Sequence, residues 1–251
     1  MKIHIKRFFD KAADCYDSSA DIQKIAASKL IDLTEAVAPQ TAIEIGTGSG
    51  IFTEMFLAKC RPEKFIGLDI AYSMSKASAS FSGLFIQADG ERLPFGKECA
   101  DVLVSSSVLQ WFQQPEVSVP AALETLKKDG RFYFSVFCDG TFTEMAVLNR
   151  ITGFGSVYPL KTAEFYDDLF GRINGITHRL EIHDYVLRFP DVKEFLKKQK
   201  ATGARFTGRT AAAGKDSYRR FCELYESFFG DGETVPVTYR IAYITGKRTH
   251  A

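Results

Sequence analysis

Between Phe8 and Val37 apolar residues return every three or four positions (Phe8, Phe9, Ala12, then Ile22, Ile25, Ala26, Leu30, Leu33). That is the spacing of helices with one face on a core. Asp17-Ser18-Ser19 interrupts the pattern with good N-cap residues, so two amphipathic helices are predicted before the core. The period then changes. Thr41 to Ile45 is a short apolar run closed by a glycine turn, Ile51 to Cys60 is helical and stops before Pro62, and Phe65 to Leu68 is apolar again. Further strands are predicted over Leu84 to Gln87, Ala100 to Ser105 and, after a helix Val117 to Lys127 and a turn Lys128-Asp129-Gly130, over Arg131 to Phe137. From Cys138 to Gly175 the chain is Gly- and aromatic-rich and carries no clear period. Beyond it come a strand Arg179 to Phe189, a helix Asp191 to Lys200, a Gly/Ala-rich loop to Gly214, a helix Asp216 to Phe229 and a last strand Val235 to Gly246.

Strands alternating with helices define an α/β fold: a mostly parallel seven-stranded sheet with helices on both faces, N-terminal helices, and helical insertions in the C-terminal half. No repeat or linker divides the chain. A single domain over 1–251 is expected, with N-terminal helices over 1–37, a ligand-binding core over 38–138, and an insertion, substrate-side helices and final strands over 139–251.

Composition narrows the class. The chain has 251 residues, 45% of them hydrophobic and 25% charged, with a formal net charge of +1, as in ordinary globular proteins. No global charge argues for nucleic acid or a membrane. Five cysteines, odd in number and without a C-x-x-C pair, and four scattered histidines argue against disulfides and a metal site; the cysteines are expected as buried thiols. No signal peptide or membrane span is visible, and the cytoplasm is the expected compartment.

The candidate chemistry lies at strand ends. In Glu44-x-Gly46-x-Gly48-x-Gly50 the glycines permit positive φ and close backbone approach at a helix N-terminus. A nicotinamide fingerprint, G-x-G-x-x-G, would need glycine where Ile51 stands. The turn could also be purely structural. Asp69 ends the second strand, where a carboxylate can hold a ribose diol or simply cap the following helix. Asp89-Gly90-Glu91 follows the third strand, before Leu93-Pro94-Phe95, and Ser105 to Trp111 follows the fourth.

This ordered set, over about Thr34 to Phe137, resembles the class I S-adenosylmethionine-dependent methyltransferases, which implies a Rossmann-like fold and S-adenosyl-L-methionine as cofactor. The resemblance implies that Glu44, Gly46, Thr47, Gly48 and Gly50 line the methionine part. It also implies that Asp69 binds the ribose with Ile70 against the adenine, that Asp89, Gly90 and Glu91 sit at the adenine, and that Ser105 approaches the methionine end through its backbone.

Methyl transfer gains mainly from alignment and water exclusion. A carboxylate acceptor is already ionised at neutral pH and needs no base. The ends of the chain, Phe9 to Asp17, Leu109-Gln110-Trp111, Lys200 to Ala204 and Val235 to Tyr239, resemble the malonyl-acyl-carrier-protein O-methyltransferases of biotin synthesis. That implies esterification of the malonyl carboxylate on an acyl carrier protein, with Tyr16, Gln110 and Trp111 in the active site and Tyr239 on the substrate side. Tyr16 and Trp111 also read as core aromatics.

From Lys193 to Arg220 nine basic residues face two acids, either a solvated helical face or a docking surface for an acidic carrier. Lys200, Arg205 and Arg209 are the candidate cations for the substrate, Arg209 first for the malonyl carboxylate. A monomer is expected, with no nucleic-acid or membrane partner. Alternatives are a methyltransferase for a quinone precursor or another small acid, and an inactive cofactor-binding interaction protein. A nicotinamide oxidoreductase is disfavoured by Ile51.

Overall fold

Buried β-branched and aromatic residues draw the strands of this chain into one sheet, and a computed structural model describes it over residues 2–203 and 214–249. The N-terminal segment is helical from near its start: α1 (Lys2–Ala12), a 3₁₀ turn (Ala13–Cys15), α2 (Tyr16–Ser19) and α3 (Asp21–Leu33). Asp17, Ser18 and Ser19 therefore lie inside a helical turn, and α3 is preceded by Ala20, which offers no side-chain cap. The expected N-cap cluster is corrected on this point; the alternation of apolar and basic residues from Met1 concealed the first helix.

The core follows as β1 (Thr41–Ile45), α4 (Ile51–Cys60), β2 (Lys64–Asp69), α5 (Tyr72–Ser78), β3 (Leu84–Gln87), β4 (Ala100–Ser106), a 3₁₀ turn (Leu109–Trp111), α6 (Pro115–Leu123) and β5 (Leu126–Phe137). The helix expected to reach Lys127 ends at Leu123, because Leu126 pairs with Ala100 and joins the sheet. Two helices, α7 (Thr143–Thr152) and α8 (Ala163–Gly171), occupy the stretch where no element was expected. Thr162 caps α8 by accepting from the Phe165 amide. Then come β6 (Ile176–Phe189), α9 (Val192–Ala201), α10 (Lys215–Phe229) and β7 (Val235–Arg248).

The sheet order is β3-β2-β1-β4-β5-β7-β6. All neighbours are parallel except β7, which runs antiparallel to both β5 and β6. Helices cover both faces. On one, Leu30, Phe56, Phe195, Phe221 and Tyr225 of α3, α4, α9 and α10 pack on Val104, Tyr133 and Ile241. On the other, Val119 and Leu123 of α6 and Tyr166 and Phe170 of α8 pack on Leu103, Phe132 and Phe134. β1 lies inside the sheet, between β2 and β4, with Ala42, Ile43 and Ile45 buried. The order reverses between β1 and β4, and the crevice outside the carboxyl ends of strands at such a reversal is where open α/β sheets bind ligands.

Of the cysteines, Cys60 and Cys138 are buried as expected, but Cys15 is exposed; all five are free thiols. Among the described residues, no helix is long and apolar enough to cross a membrane.

Candidate functional site

A cavity of about 740 Å³, part of it continuous with solvent, opens over the carboxyl ends of β1, β2 and β4. Its floor is Ile45, Gly46 and Gly48 after β1, Leu68, Asp69 and Ile70 at the end of β2, Asp89 to Glu91 after β3, and Ser106 and Val108 after β4. Its roof is helical: Lys2, Ile5 and Phe9 of α1 and Tyr16 at the start of α2. Phe9 packs 5.9 Å from Trp111 and 6.3 Å from Tyr16, ring centre to ring centre. Trp111, itself half-buried on the wall, packs at 5.2 Å on Tyr158.

The glycine turn is as tight as a ligand cradle requires. Gly46 has φ 75°, and a Cβ there would lie 2.3 Å from Val108 Cγ2. Its amide donates to the Leu68 carbonyl at 2.6 Å, joining β1 to β2 where the cavity begins. Gly50, with φ 98°, precedes α4 and leaves no room for a side chain against Phe81.

Two carboxylates are buried beside this turn. Asp69 Oδ2 accepts from the Gly48 amide at 2.9 Å, and Oδ1 from the Ala71 amide at 2.8 Å. Burial raises its pKa to about 6, the two amides hold it back in part, and nearby Asp10 adds to the rise. Each oxygen keeps a lone pair for a further donor. Glu44, on the interior strand β1, is fully buried; Oε2 accepts from Thr53 Oγ1 at 2.7 Å, and Oε1 has no partner among the described residues. Its pKa is pushed up to about 8 by burial, against the Thr53 bond and with help from Asp69. A buried carboxylate in an interior strand is costly. Perturbed acids of this kind cluster at functional sites.

At the far end Lys2 Nζ lies 2.5 Å from Asp89 Oδ2 and 2.6 Å from Glu91 Oε2. Burial favours a raised Glu91 pKa, but the Gln113 and Gln114 amides and Lys2 outweigh it and hold the carboxylate below its usual range. α1 is also tied down by Asp10, which accepts from the Ser73 amide of α5 at 2.9 Å.

The structure brings Tyr16, Gly46, Gly48, Asp69, Ile70, Asp89, Gly90, Glu91 and Trp111 together on the cavity wall. Glu44, Thr47 and Gly50 stand behind it. Thr47 is buried and bonded to Ser78 Oγ. Ser105 is fully buried and its hydroxyl donates to the Ile45 carbonyl, while its neighbour Ser106 lines the wall because alternate side chains of a strand face opposite ways. Gln110 is buried behind the wall, its Nε2 donating to the Ser107 carbonyl at 2.6 Å and its Oε1 without a partner. Lys200 is exposed on α9 and is not among the wall residues. Tyr239, on β7, lines a separate hollow. Arg205 and Arg209 lie outside the described residues. Residues missed from sequence are Lys2, Ile5 and Phe9; the i, i+4 apolar pair Ile5 and Phe9 with a basic partner was the available signal. Among the described residues no three His, Cys, Asp or Glu side chains cluster as a metal site.

Three carboxylates against one ammonium line this cavity, an excess of negative charge that suits a cationic ligand. Asp69 has acceptor capacity for a diol, and the Gly48 backbone is open, with no atom within 4 Å of where a Cβ would stand. These features fit S-adenosylmethionine, which carries a sulfonium, an ammonium and a ribose. Residues 43–134 match the family described as "Methyltransferase domain", and the fold and site are similar to those of the class I S-adenosylmethionine-dependent methyltransferases. Within that class it is similar to the Malonyl-[acyl-carrier protein] O-methyltransferase of Geobacter sulfurreducens, 28% identical over 97% of this chain and 98% of the relative. The protein of the same name from Herminiimonas arsenicoxydans is 26% identical over 97% and 95%. Among solved structures, the fold is similar to YcgJ of Bacillus subtilis, at 18% identity with a TM-score of 0.64 over 90% of this chain and 99% of that one.

Proposed function

We propose that this methyltransferase, acting as a single domain, esterifies the free carboxylate of a malonyl group held on an acyl carrier protein. The product is the malonyl methyl ester that primes the pimeloyl chain in biotin synthesis. The observation that carries the reading is length: similarity to the carrier-protein enzymes runs over 97% of this chain, well beyond residues 43–134. It therefore includes the roof helices and the C-terminal elements, the parts that meet an acceptor.

Bound in the cavity, S-adenosylmethionine supplies an electrophilic methyl group. Asp69 would hold the ribose hydroxyls with its free lone pairs, Ile70 and Gly90 would flank the adenine, and Asp89 would accept from the adenine amine. Gly46 and Gly48 would let the backbone approach the methionine end. α1 and Tyr16 close the roof and exclude water, which strengthens each charge interaction beneath.

Among the described residues the cavity wall has no free base. It carries no histidine, its one lysine is held between Asp89 and Glu91, and burial with Asp69 and Asp17 pushes the Tyr16 phenol up. A phenol or amine acceptor wants such a base, whereas a malonyl carboxylate arrives ionised. The chain's residues then act by alignment. The basic stretch from Lys193 suits docking of an acidic carrier, with Arg209 proposed for the malonyl carboxylate; a monomer in the cytoplasm completes the reading.

The test is to incubate the protein with methyl-labelled S-adenosylmethionine and malonyl-carrier, with acetyl-carrier as control. Label in the malonyl-carrier alone supports the assignment; label in both, or in neither, rejects it.

A further inference from the structure

The cavity wall carries three carboxylates against one ammonium, a field that repels an anionic acceptor unless a hydrogen-bond donor meets it. Lys2 is already held by Asp89 and Glu91. Among the described residues the other side-chain donors on the wall are the Tyr16 and Ser106 hydroxyls and the Trp111 indole N–H. Of these three, Ser106 belongs to a hydrogen-bond chain whose direction follows from its partners.

Ser106 ends β4 and stands opposite Ser135 of β5, so the two side chains share one face of the sheet. Their Oγ atoms lie 3.2 Å apart. Just beyond, Ser107 is held left-handed at φ 62°, a costly conformation for a residue with a Cβ. Its amide turns back onto Ser135, donating to the carbonyl at 2.9 Å and to Oγ at 3.1 Å. An amide N–H can only donate, so Ser135 Oγ accepts there, and a hydroxyl has one proton besides its two lone pairs. If Ser106 donated to Ser135, the proton of the fully buried Ser135 would have no acceptor among the described residues. An unmet buried donor costs stability. The satisfied arrangement runs the other way, from the Ser107 amide to Ser135 Oγ and from the Ser135 hydroxyl to Ser106 Oγ. It leaves the proton of Ser106, the wall residue, for a further acceptor, and each bond of such a chain polarises the next.

We propose that Ser106 donates this proton as a hydrogen bond to the acceptor's carboxylate, at the oxygen that does not attack, and that Ser135 is the positioning residue that aims it. The proposal rests on the malonyl-carrier reading above. A carboxylate has lone pairs enough for this bond and for the cation proposed to accompany it. As the other oxygen takes the methyl group, the carbon–sulfur bond breaks with its electron pair left on sulfur, and no proton moves. The carboxylate's charge falls on the way to the transition state, so the hydrogen bond holds the bound acceptor at least as firmly as the transition state. Its loss therefore raises KM and does not lower kcat.

The experiment measures methyl transfer to malonyl-carrier, and binding of S-adenosylhomocysteine, for the wild type, Ser106→Ala, Ser106→Thr, Ser135→Ala and the double variant Ser106→Ala with Ser135→Ala. Ser106→Ala is expected to raise KM for malonyl-carrier about ten- to thirtyfold, the worth of a hydrogen bond to a charged group, with kcat within about twofold of wild type. Ser106→Thr keeps a hydroxyl and should stay within about threefold. Ser135→Ala should raise KM about three- to fivefold. The double variant should be no worse than Ser106→Ala alone, because Ser135 acts through Ser106. Unchanged affinity for S-adenosylhomocysteine in every variant reports an intact fold and cofactor site. Four results overturn the proposal alone: a wild-type KM in Ser106→Ala, a loss that falls on kcat, a matching loss of S-adenosylhomocysteine affinity, or losses that multiply in the double variant. Failure of the wild-type protein to methylate any malonyl thioester overturns the carrier reading, and this inference with it.

Discussion

Replacing Glu44 by glutamine measures what it costs to keep a carboxyl group behind the glycine turn. Glu44 is fully buried, with one oxygen bonded to Thr53 and the other unpaired. Burial carries its pKa from an ordinary 4.5 to about 8. The folded protein therefore keeps a proton that the unfolded chain releases between those values, so this group's contribution to stability falls as pH rises from about 4.5 through 8. A tenfold change in proton affinity corresponds to about 1.4 kcal/mol. Between pH 5 and pH 8 the native protein loses on the order of 3.5 kcal/mol through Glu44 alone. Glutamine can accept from Thr53 but cannot ionise, so the variant should escape that loss.

The assay is urea unfolding of both proteins at pH 5, 6.5 and 8. The stability difference, variant minus wild type, should grow by on the order of 3.5 kcal/mol across the range, seen in thermal melts as roughly 7 to 15 °C. A difference that does not change with pH would refute the reasoning. Below pH 7, where Glu44 is protonated and uncharged, the variant should bind the cofactor as the wild type does, and only above pH 8, where the wild-type carboxyl ionises beneath a cationic ligand, should it bind more weakly; titration calorimetry at the two pH values reads this directly.

Asp69, with its pKa near 6, should make S-adenosylhomocysteine binding weaken about tenfold per pH unit below 6, and a flat profile from pH 5 to 7.5 would remove it from the ribose site. Gly46→Ala should destabilise by about 1 to 3 kcal/mol through its positive φ and the contact with Val108; Val108→Ala in the same protein should recover the steric part, and no recovery in urea melts would contradict that cause. Lys2→Met should tighten the cofactor analogue about three- to tenfold at low salt, since the ammonium that occupies Asp89 is gone and the cavity becomes more negative; weaker binding by calorimetry would mean Lys2 serves the ligand. The Michaelis constant for malonyl-carrier should rise with added salt, because contacts to the exposed lysines of α9 are screened, and a constant that ignores salt would count against docking there.

Much of the core was legible because it is local. Thr41 to Ile45, Ile51 to Cys60 and Leu84 to Gln87 form elements with the expected bounds; each is an uninterrupted run between strong turn signals. α7 and α8 were missed because the Gly- and aromatic-rich composition around them masked two short helices whose burial comes from packing on the sheet. The end of α6 was misjudged because a distant partner, Ala100, draws Leu126 into β5. In the site, acids at strand ends were readable from order alone. Whether Ser105 or Ser106 faces the ligand depends on strand parity relative to the cavity, which one chain position cannot reveal.

The glycine turn, the absence of glycine at position 51 and the acids Asp69 and Asp89 determine the class of cofactor from sequence alone, since spacing along one chain sets which backbone atoms and side chains follow each strand. Only the tertiary structure decided the roof. Lys2 and Asp89 stand 87 residues apart and meet at 2.5 Å, and Gln23 and Tyr239 share one hollow from opposite ends of the chain. Such meetings depend on how helices dock across the sheet edge, a long-range packing outcome that leaves no period or motif in the sequence.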